Sequence, residues 1–202
     1  MKKLLIAMIL ILGIGTNGWA ITYDLNYKID GGPPISYIGS LGTLSITDNI
    51  NDTNMVDVAI DLNDGLKLLS FRLNYFTDTL PAGLSITGAS LNGSINSVKA
   101  DGYKGNFDIE IPSTGNLGNV DFWEGTLSAT GVNLDAANFI ALDTENLLHV
   151  AVHIGAGSSS LPGNVTSLWA GDGTTPVPEP TTILLLGLGL VGLAGVGRKF
   201  KK

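Results

Sequence analysis

The residues best suited to bind an ion lie in one short polar stretch of the sequence, residues 48–54. Carboxylate and amide oxygens, which this stretch supplies, are the ligands that Ca²⁺ prefers in proteins. The spacing departs from the EF-hand loop, because no glycine stands at the sixth position and no glutamate at the twelfth. We therefore predict ordinary solvated turns without a metal or other cofactor, and keep a calcium site at Asp48, Asn51 and Asp52 as the alternative.

Two pairs of side chains have spacings that bear on catalysis. Asp108 and Glu110 share one face of a predicted strand about 7 Å apart, a separation that suits an inverting glycosidase. His149 and His153 share the polar face of another predicted strand, but four residues along a strand span about 13 Å, too far for one metal ion. Exposed strand faces commonly carry such pairs, so we expect surface or structural roles for all four side chains.

Other signatures of catalysis or sugar binding are weak. Trp123, Tyr103 and Trp169 are able to stack on sugar rings, but scattered aromatic residues more often pack in a core or at its rim. The sequence contains no G-x-S-x-G, H-E-x-x-H or P-loop motif. We therefore predict that the protein is not an enzyme.

The charge distribution separates the middle of the chain from its two ends. All 18 acidic residues lie between Asp24 and Glu179, and the chain carries a net charge of −7. The basic residues of this middle region are Lys28, Lys67, Arg72, Lys99 and Lys104. An acidic domain repels the phosphate backbone of nucleic acids, so we predict no nucleic-acid partner.

Alternating apolar and polar residues predict an all-β domain over residues 21–175. The clearest alternation, at residues 21–30, predicts one half-buried strand, and residues 35–47 predict a second strand with a bend near residues 39–42. Met55–Leu62 and residues 66–76 predict a hairpin, because Asn63-Asp64-Gly65 is a turn signal. Further strands are predicted at residues 84–91, 107–111, 122–130, 147–154 and 165–169.

Helical structure is scarce in this domain. Residues 134–139 predict a single helical turn, and residues 171–176 predict a linker. The chain has no cysteine, so its stability must come from one core without disulfides. Short strands without helices predict an antiparallel β-sandwich, of which the jelly roll is the closest variant.

The start of the chain has the three parts of a secretory signal peptide at residues 1–20. Lys2 and Lys3 precede the apolar residues 4–14, and the small-residue site ends at Ala20. We predict export through the general secretion machinery and cleavage after Ala20 by signal peptidase. A retained N-terminal membrane anchor is the alternative, although residues 4–12 are short for a membrane span.

The end of the chain predicts a second contact with a membrane. Residues 181–197 carry no charge, and a helix of this length spans about 25 Å. The length of this segment is at the lower limit for a transmembrane helix. The basic tail that follows indicates a cytoplasmic end and places the domain outside. Its basic residues are Arg198, Lys199, Lys201 and Lys202.

A short motif precedes this apolar segment. Val177, Pro178, Glu179 and Pro180 form it, and the two prolines hold the glutamate in an extended conformation. Together with the glycine-rich apolar segment and the basic tail, the motif resembles the PEP-CTERM sorting signal of Gram-negative bacteria, here at residues 176–202. The tail is less arginine-rich than in many members of that family. The resemblance implies recognition by exosortase, a membrane-embedded enzyme, and an association with exopolysaccharide and biofilm.

A looser resemblance concerns the domain itself. The stretches Phe107 to Pro112, Leu134 to Phe139, Leu148 to Val150 and Ser167 to Trp169 resemble the globular part of many PEP-CTERM proteins, with Leu168 in place of a glycine. This resemblance implies a β domain without an assigned role.

We therefore predict an exported protein that is held in the inner membrane as a precursor and then passes to the cell surface or extracellular matrix. Its domain is predicted to be structural or adhesive, with exosortase and exopolysaccharide as partners. A carbohydrate-binding module or polysaccharide hydrolase is one alternative. A single-span membrane protein that is never processed is another.

Overall fold

The computed structural model describes residues 19–29, 36–76, 80–88, 106–112, 120–143, 148–173 and 177–178. Most of the predicted signal peptide, the predicted membrane segment and the basic tail lie outside these ranges. No helix within them is long and apolar enough to span a membrane. Helical structure in the described ranges consists of one 3₁₀ turn, Ala136–Phe139, at the place where a single helical turn was predicted.

The described residues form two six-stranded sheets in which all neighbouring strands are antiparallel. Sheet A has the order β12-β1-β4-β5-β9-β7 and sheet B the order β3-β2-β11-β10-β6-β8. Sheet A consists of β1 (Ala20–Asp24), β4 (Gly42–Asp48), β5 (Met55–Leu62), β7 (Ser85–Gly88), β9 (Phe122–Ser128) and β12 (Val177–Pro178). Sheet B consists of β2 (Tyr27–Ile29), β3 (Ser36–Tyr37), β6 (Leu66–Leu73), β8 (Ile109–Pro112), β10 (Val150–Ala156) and β11 (Ser167–Gly171).

Alternation along the strands builds one core between the two sheets. In β5 the apolar residues at positions 56, 58, 60 and 62 are buried, whereas Asp57 and Asp61 are exposed. Phe71 of sheet B and Trp123 of sheet A pack with ring centroids 5.1 Å apart, and both belong to the main buried cluster. The predicted all-β architecture with two antiparallel sheets is therefore confirmed. Within the described ranges the chain forms twelve short strands, whereas a jelly roll has eight.

The predicted hairpin between β5 and β6 is wrong, although both strands exist. β5 pairs with β4 and β9 in sheet A, whereas β6 pairs with β8 and β10 in sheet B. The turn at residues 63–65 instead carries the chain from one sheet to the other. Each strand has a long apolar face, and the two faces cover the same core from opposite sides.

The single strand predicted at residues 21–30 is also wrong, because the chain changes sheets within it. β1 lies in sheet A and β2 in sheet B. Between them, the backbone N–H of buried Asn26 donates to Gly171 of sheet B, and its carbonyl accepts from Ile38. The alternation of apolar residues continues across this change of sheet, but it serves two buried clusters. Leu25 lies in the main core, and Ile29 lies in a second, smaller buried cluster.

Candidate functional site

The carboxylate that begins the predicted calcium loop joins three parts of the chain. Asp48 Oδ1 accepts a hydrogen bond from the N–H of Ala136 at 2.7 Å, and Oδ2 accepts one from the N–H of Trp19 at 2.7 Å. It therefore caps the 3₁₀ turn and binds the chain just before β1. Both oxygens that were candidates for a cation are engaged by backbone donors.

The rest of this loop is organised by side chains that bond to nearby backbone groups. Asn49 Oδ1 accepts from the N–H groups of Asn51 and Asp52 at 2.9 and 3.1 Å. Asp52 Oδ1 accepts from the N–H of Asn54 at 2.9 Å. These are Asx turns, as expected of a polar loop. In the described part of the chain, no group of three or more His, Cys, Asp or Glu residues is arranged to hold a metal.

The two carboxylates of the glycosidase hypothesis each have a structural partner. Asp108 Oδ2 accepts from the N–H of Tyr75 at 2.9 Å. Glu110 Oε1 accepts from Nη2 of Arg72 at 2.7 Å, in register across β6 and β8. Both carboxylates therefore stabilise the packing of β8, and of the residue just before it, against β6 and the residues that follow β6.

Arg72 is part of a stack on the outer face of sheet B. Its guanidinium lies 4.1 Å from the ring centroid of Trp169, and that ring stacks on His153 at 4.7 Å with an interplanar angle of 10°. Trp169 also belongs to the second buried cluster with Phe107 and Leu148. Trp169 and Trp123 are therefore packing residues, as predicted, whereas Tyr103 lies in a part of the chain that the structure does not describe.

His149 is buried, although the alternation predicted it on the polar face of its strand. It is hydrogen-bonded to an aspartate from the predicted linker. His149 is 5% exposed and Asp172 1% exposed. Asp172 Oδ2 lies 2.5 Å from Nδ1 of His149, and Oδ1 accepts from the N–H groups of His149 and Val150 at 2.9 and 3.1 Å. The predicted linker therefore begins after Asp172, and His149 and His153 have separate surroundings.

Tyr23 of sheet A completes this buried cluster. Its ring stacks on His149 with centroids 5.3 Å apart, and its hydroxyl donates to the carbonyl of Phe139 at 2.6 Å. Burial, and secondly the negative charge of Asp172, raise the pKa of Tyr23 far above its usual value. The cluster connects β1, the 3₁₀ turn, the start of β10 and the end of β11.

A polar hollow lies on the outer face of sheet A. It has a volume of about 450 Å³ and is centred on β5, where the small side chain of Ala59 lies between Ser45 and Glu124 in register. In the adjacent row, Thr126 Oγ1 donates to Asp57 Oδ1 at 2.9 Å. The hollow therefore presents carboxylates and hydroxyl groups to solvent.

The predicted signal-peptide cleavage site and the first half of the predicted sorting motif both lie at one edge of sheet A. The predicted cleavage site Ala20 is the first residue of β1, where it pairs with Thr47. Two residues of the predicted sorting motif form β12, with Val177 opposite Thr22 and Pro178 opposite Ile21. Glu179, Pro180 and the basic tail lie beyond the described residues.

Sequence reasoning missed Arg72 and Asp172. An arginine between Phe71 and Leu73 in a strand rich in leucine was an available signal, because a buried guanidinium requires a carboxylate partner. Asp172 gave no such signal, since an aspartate among glycine and threonine residues is typical of a solvated linker. Its partner lies 23 positions earlier in the chain.

We predict that Asp172→Ala lowers the free energy of unfolding by about 3–5 kcal/mol, because it leaves buried donors without an acceptor. Asp172→Asn should cost less, since one amide oxygen is still able to accept from the two backbone N–H groups. Urea unfolding of the purified protein measures both, with exposed Asp61→Ala as the control at about 0.5 kcal/mol or less. Equal stability of Asp172→Ala and Asp61→Ala would show that the buried bonds are unimportant.

We also predict that stability falls as the pH rises above about 10, the usual tyrosine pKa. The unfolded chain then loses the Tyr23 proton while the folded chain retains it, so each pH unit costs about 1.4 kcal/mol. Tyr23→Phe should remove this part of the slope in urea titrations at a series of alkaline pH values. Burial also raises the pKa of Tyr75, so the slope of Tyr75→Phe is measured in the same titrations to separate the contributions of the two tyrosines. An unchanged slope in Tyr23→Phe would contradict the assignment.

Comparison with known proteins bears on the end of the chain. Residues 176–199 match the family model of the PEP-CTERM protein-sorting motif, which confirms the predicted resemblance. No curated protein and no solved structure matches the chain. Such a motif implies export and sorting to the cell surface by exosortase. The chain thus carries a PEP-CTERM protein-sorting motif joined to a two-sheet β domain.

Proposed function

We propose that the protein is held in the inner membrane as a precursor, is processed at its C-terminal signal by exosortase, and then serves a structural or adhesive role at the cell surface or in the exopolysaccharide matrix. The observation that supports this most is the sorting motif at residues 176–199, only a few residues after the last strand of sheet B. Residues 1–20 act as a signal peptide in this proposal, and residues 181–197 as the membrane segment.

The contacts within the domain favour a structural role over catalysis. The carboxylates of Asp108 and Glu110 are bonded to Tyr75 and Arg72, and the imidazole of His149 is buried against Asp172. These groups stabilise the sheets instead of lining a cleft. A domain of two packed sheets without cysteine is suited to persist outside the cell, where its stability does not depend on the redox state.

Glycan binding at the polar hollow is a second candidate function. Asp57, Glu124 and the neighbouring hydroxyl groups offer the donors and acceptors that sugar hydroxyls require. Phe122 is 50% exposed and precedes Glu124 by two positions, so it lies on the same face of β9 and offers an apolar surface for a sugar ring. Matrix exopolysaccharide is the ligand class that fits both features.

We predict that the mature protein lacks residues 1–20 and the membrane segment after about residue 180. Intact mass spectrometry of protein from the envelope and from the medium measures this directly. Glu179→Ala should leave the protein in the membrane with its C-terminal segment attached, because the charged residue of the recognised motif is gone.

The control for this experiment is Asp61→Ala, which removes an exposed carboxylate elsewhere and should be processed like the unaltered chain. Retention of residues 181–202 in all unaltered protein, with or without exosortase, would contradict the proposed sorting. The protein would then be a permanent single-span membrane protein.

We predict that Ala59→Trp abolishes glycan binding by filling the hollow, and that Glu124→Ala weakens it about tenfold, as expected for loss of one hydrogen bond to a charged group. Calorimetric titration with exopolysaccharide from the same cells measures both. Ser128→Ala, on the same strand but outside the hollow, is the control. Equal binding by all four proteins would exclude the hollow as the site.

A further inference from the structure

The edge of sheet A carries a strand from the far end of the chain. On one side, β1 pairs with β4 along its whole length. On the other side it pairs with β12, which places Thr22 opposite Val177 and Ile21 opposite Pro178. The first half of the sorting motif therefore lies against the first strand of the domain.

This pairing uses backbone groups of β1 that β4 does not use. Next to β1, the N–H of Leu25 donates to Gly42 and the carbonyl of Trp19 accepts from the N–H of Asp48, both at 2.9 Å. Backbone groups of successive strand residues point to opposite sides, so odd-numbered residues of β1 face β4 and Thr22 faces β12. Among the even-numbered residues of β1, Thr22 lies opposite Val177, so its N–H and carbonyl face the sorting segment.

The motif has the composition of an edge strand. Since Thr22 and Val177 form a hydrogen-bonded pair, the next pair, Ile21 and Pro178, is a non-hydrogen-bonded one. The missing N–H of Pro178 therefore leaves no gap in the ladder. Within residues 177–180 only the first and third have an N–H, and residues two apart point the same way in an extended chain. When the motif is extended, its backbone N–H groups are therefore able to donate hydrogen bonds to one side only.

The direction of β12 places the start of β1 and the end of β12 at the same end of sheet A. Because β12 is antiparallel to β1, the residues before Ala20 and the residues after Pro178 leave sheet A at the same end. Only residues 174–176 separate Gly173 from β12. Val177 and Pro178 therefore follow the folded domain closely and lie beside the start of β1.

We propose that the edge of β1 is a docking site for the chain's own sorting segment, and that exosortase has to displace Val177 and Pro178 from this edge before it processes the chain. This inference rests on the proposed sorting by exosortase. An enzyme that reads an extended peptide through its backbone needs the N–H of Val177, the same group that faces β1 in the paired segment. Only two residue pairs are involved, so displacement leaves the core of the sandwich intact.

The absence of native cysteine makes a direct test available. Directly opposite residues of a hydrogen-bonded antiparallel pair have Cα atoms about 5.5 Å apart, within the range of a disulfide. The test uses the full chain with Thr22→Cys and Val177→Cys, exported in its own cells. Ala59→Cys with Val177→Cys is the matched control. Ala59 lies on the same face of sheet A as Thr22, but in β5, which is two strands away from β1. Val177→Cys alone controls for the changed motif.

We expect a disulfide in the Thr22→Cys/Val177→Cys precursor, seen as a reductant-sensitive gel shift, and none in the Ala59→Cys control. The linked precursor should be processed at least about tenfold more slowly than Val177→Cys alone, since little of it reaches the undocked state, and reductant should restore the rate. Absence of the disulfide would overturn the docking site. A linked precursor processed as fast as the single variant would overturn the displacement.

The disulfide also separates this inference from the proposed function. It forms in cells that lack exosortase if the docking site is correct, whether or not the protein is ever processed. If the disulfide forms but Val177→Cys and the unaltered chain are never processed, sorting by exosortase fails, and with it the displacement step, while the docking site stands.

Discussion

The buried carboxylate of Asp172 is the contact on which the end of this domain depends. Placing a carboxylate in the interior is costly unless it is hydrogen-bonded, and here three donors from His149 and Val150 surround it. The stacking of His149 on Tyr23 extends the contact to β1. The C-terminal end of β11, the start of β10 and the first strand of the domain are thereby fixed together just before the sorting segment begins.

Much of the architecture could be predicted from the sequence, because burial on one face imposes a period of two. β5 was predicted with its observed bounds, and the 3₁₀ turn was found where a single turn was expected. Strand partners could not be predicted in the same way. A turn signal such as Asn63-Asp64-Gly65 serves equally for a hairpin and for a crossing between facing sheets, so the sequence could not distinguish them.

The functional sites show the same difference between local patterns, which could be predicted, and contacts between distant residues, which could not. The sorting motif could be predicted because its recognition depends on a local sequence, which the family match confirms. The His149–Asp172 pair could not, because its members lie at the ends of two different strands and the alternation at residues 147–154 assigns His149 to the polar face. Likewise, the polar hollow depends on the register of three strands, and register is set by pairing across the sheet.

The central claim is that the folded domain holds the sorting segment at the edge of β1. Amide hydrogen exchange at Thr22 tests it most directly, with the full chain compared with a chain that ends at residue 176. The account predicts that the Thr22 amide is protected only when residues 177–202 are present, whereas the Tyr23 amide, which faces β4, is protected in both. Equally rapid exchange of Thr22 in the two chains would contradict it.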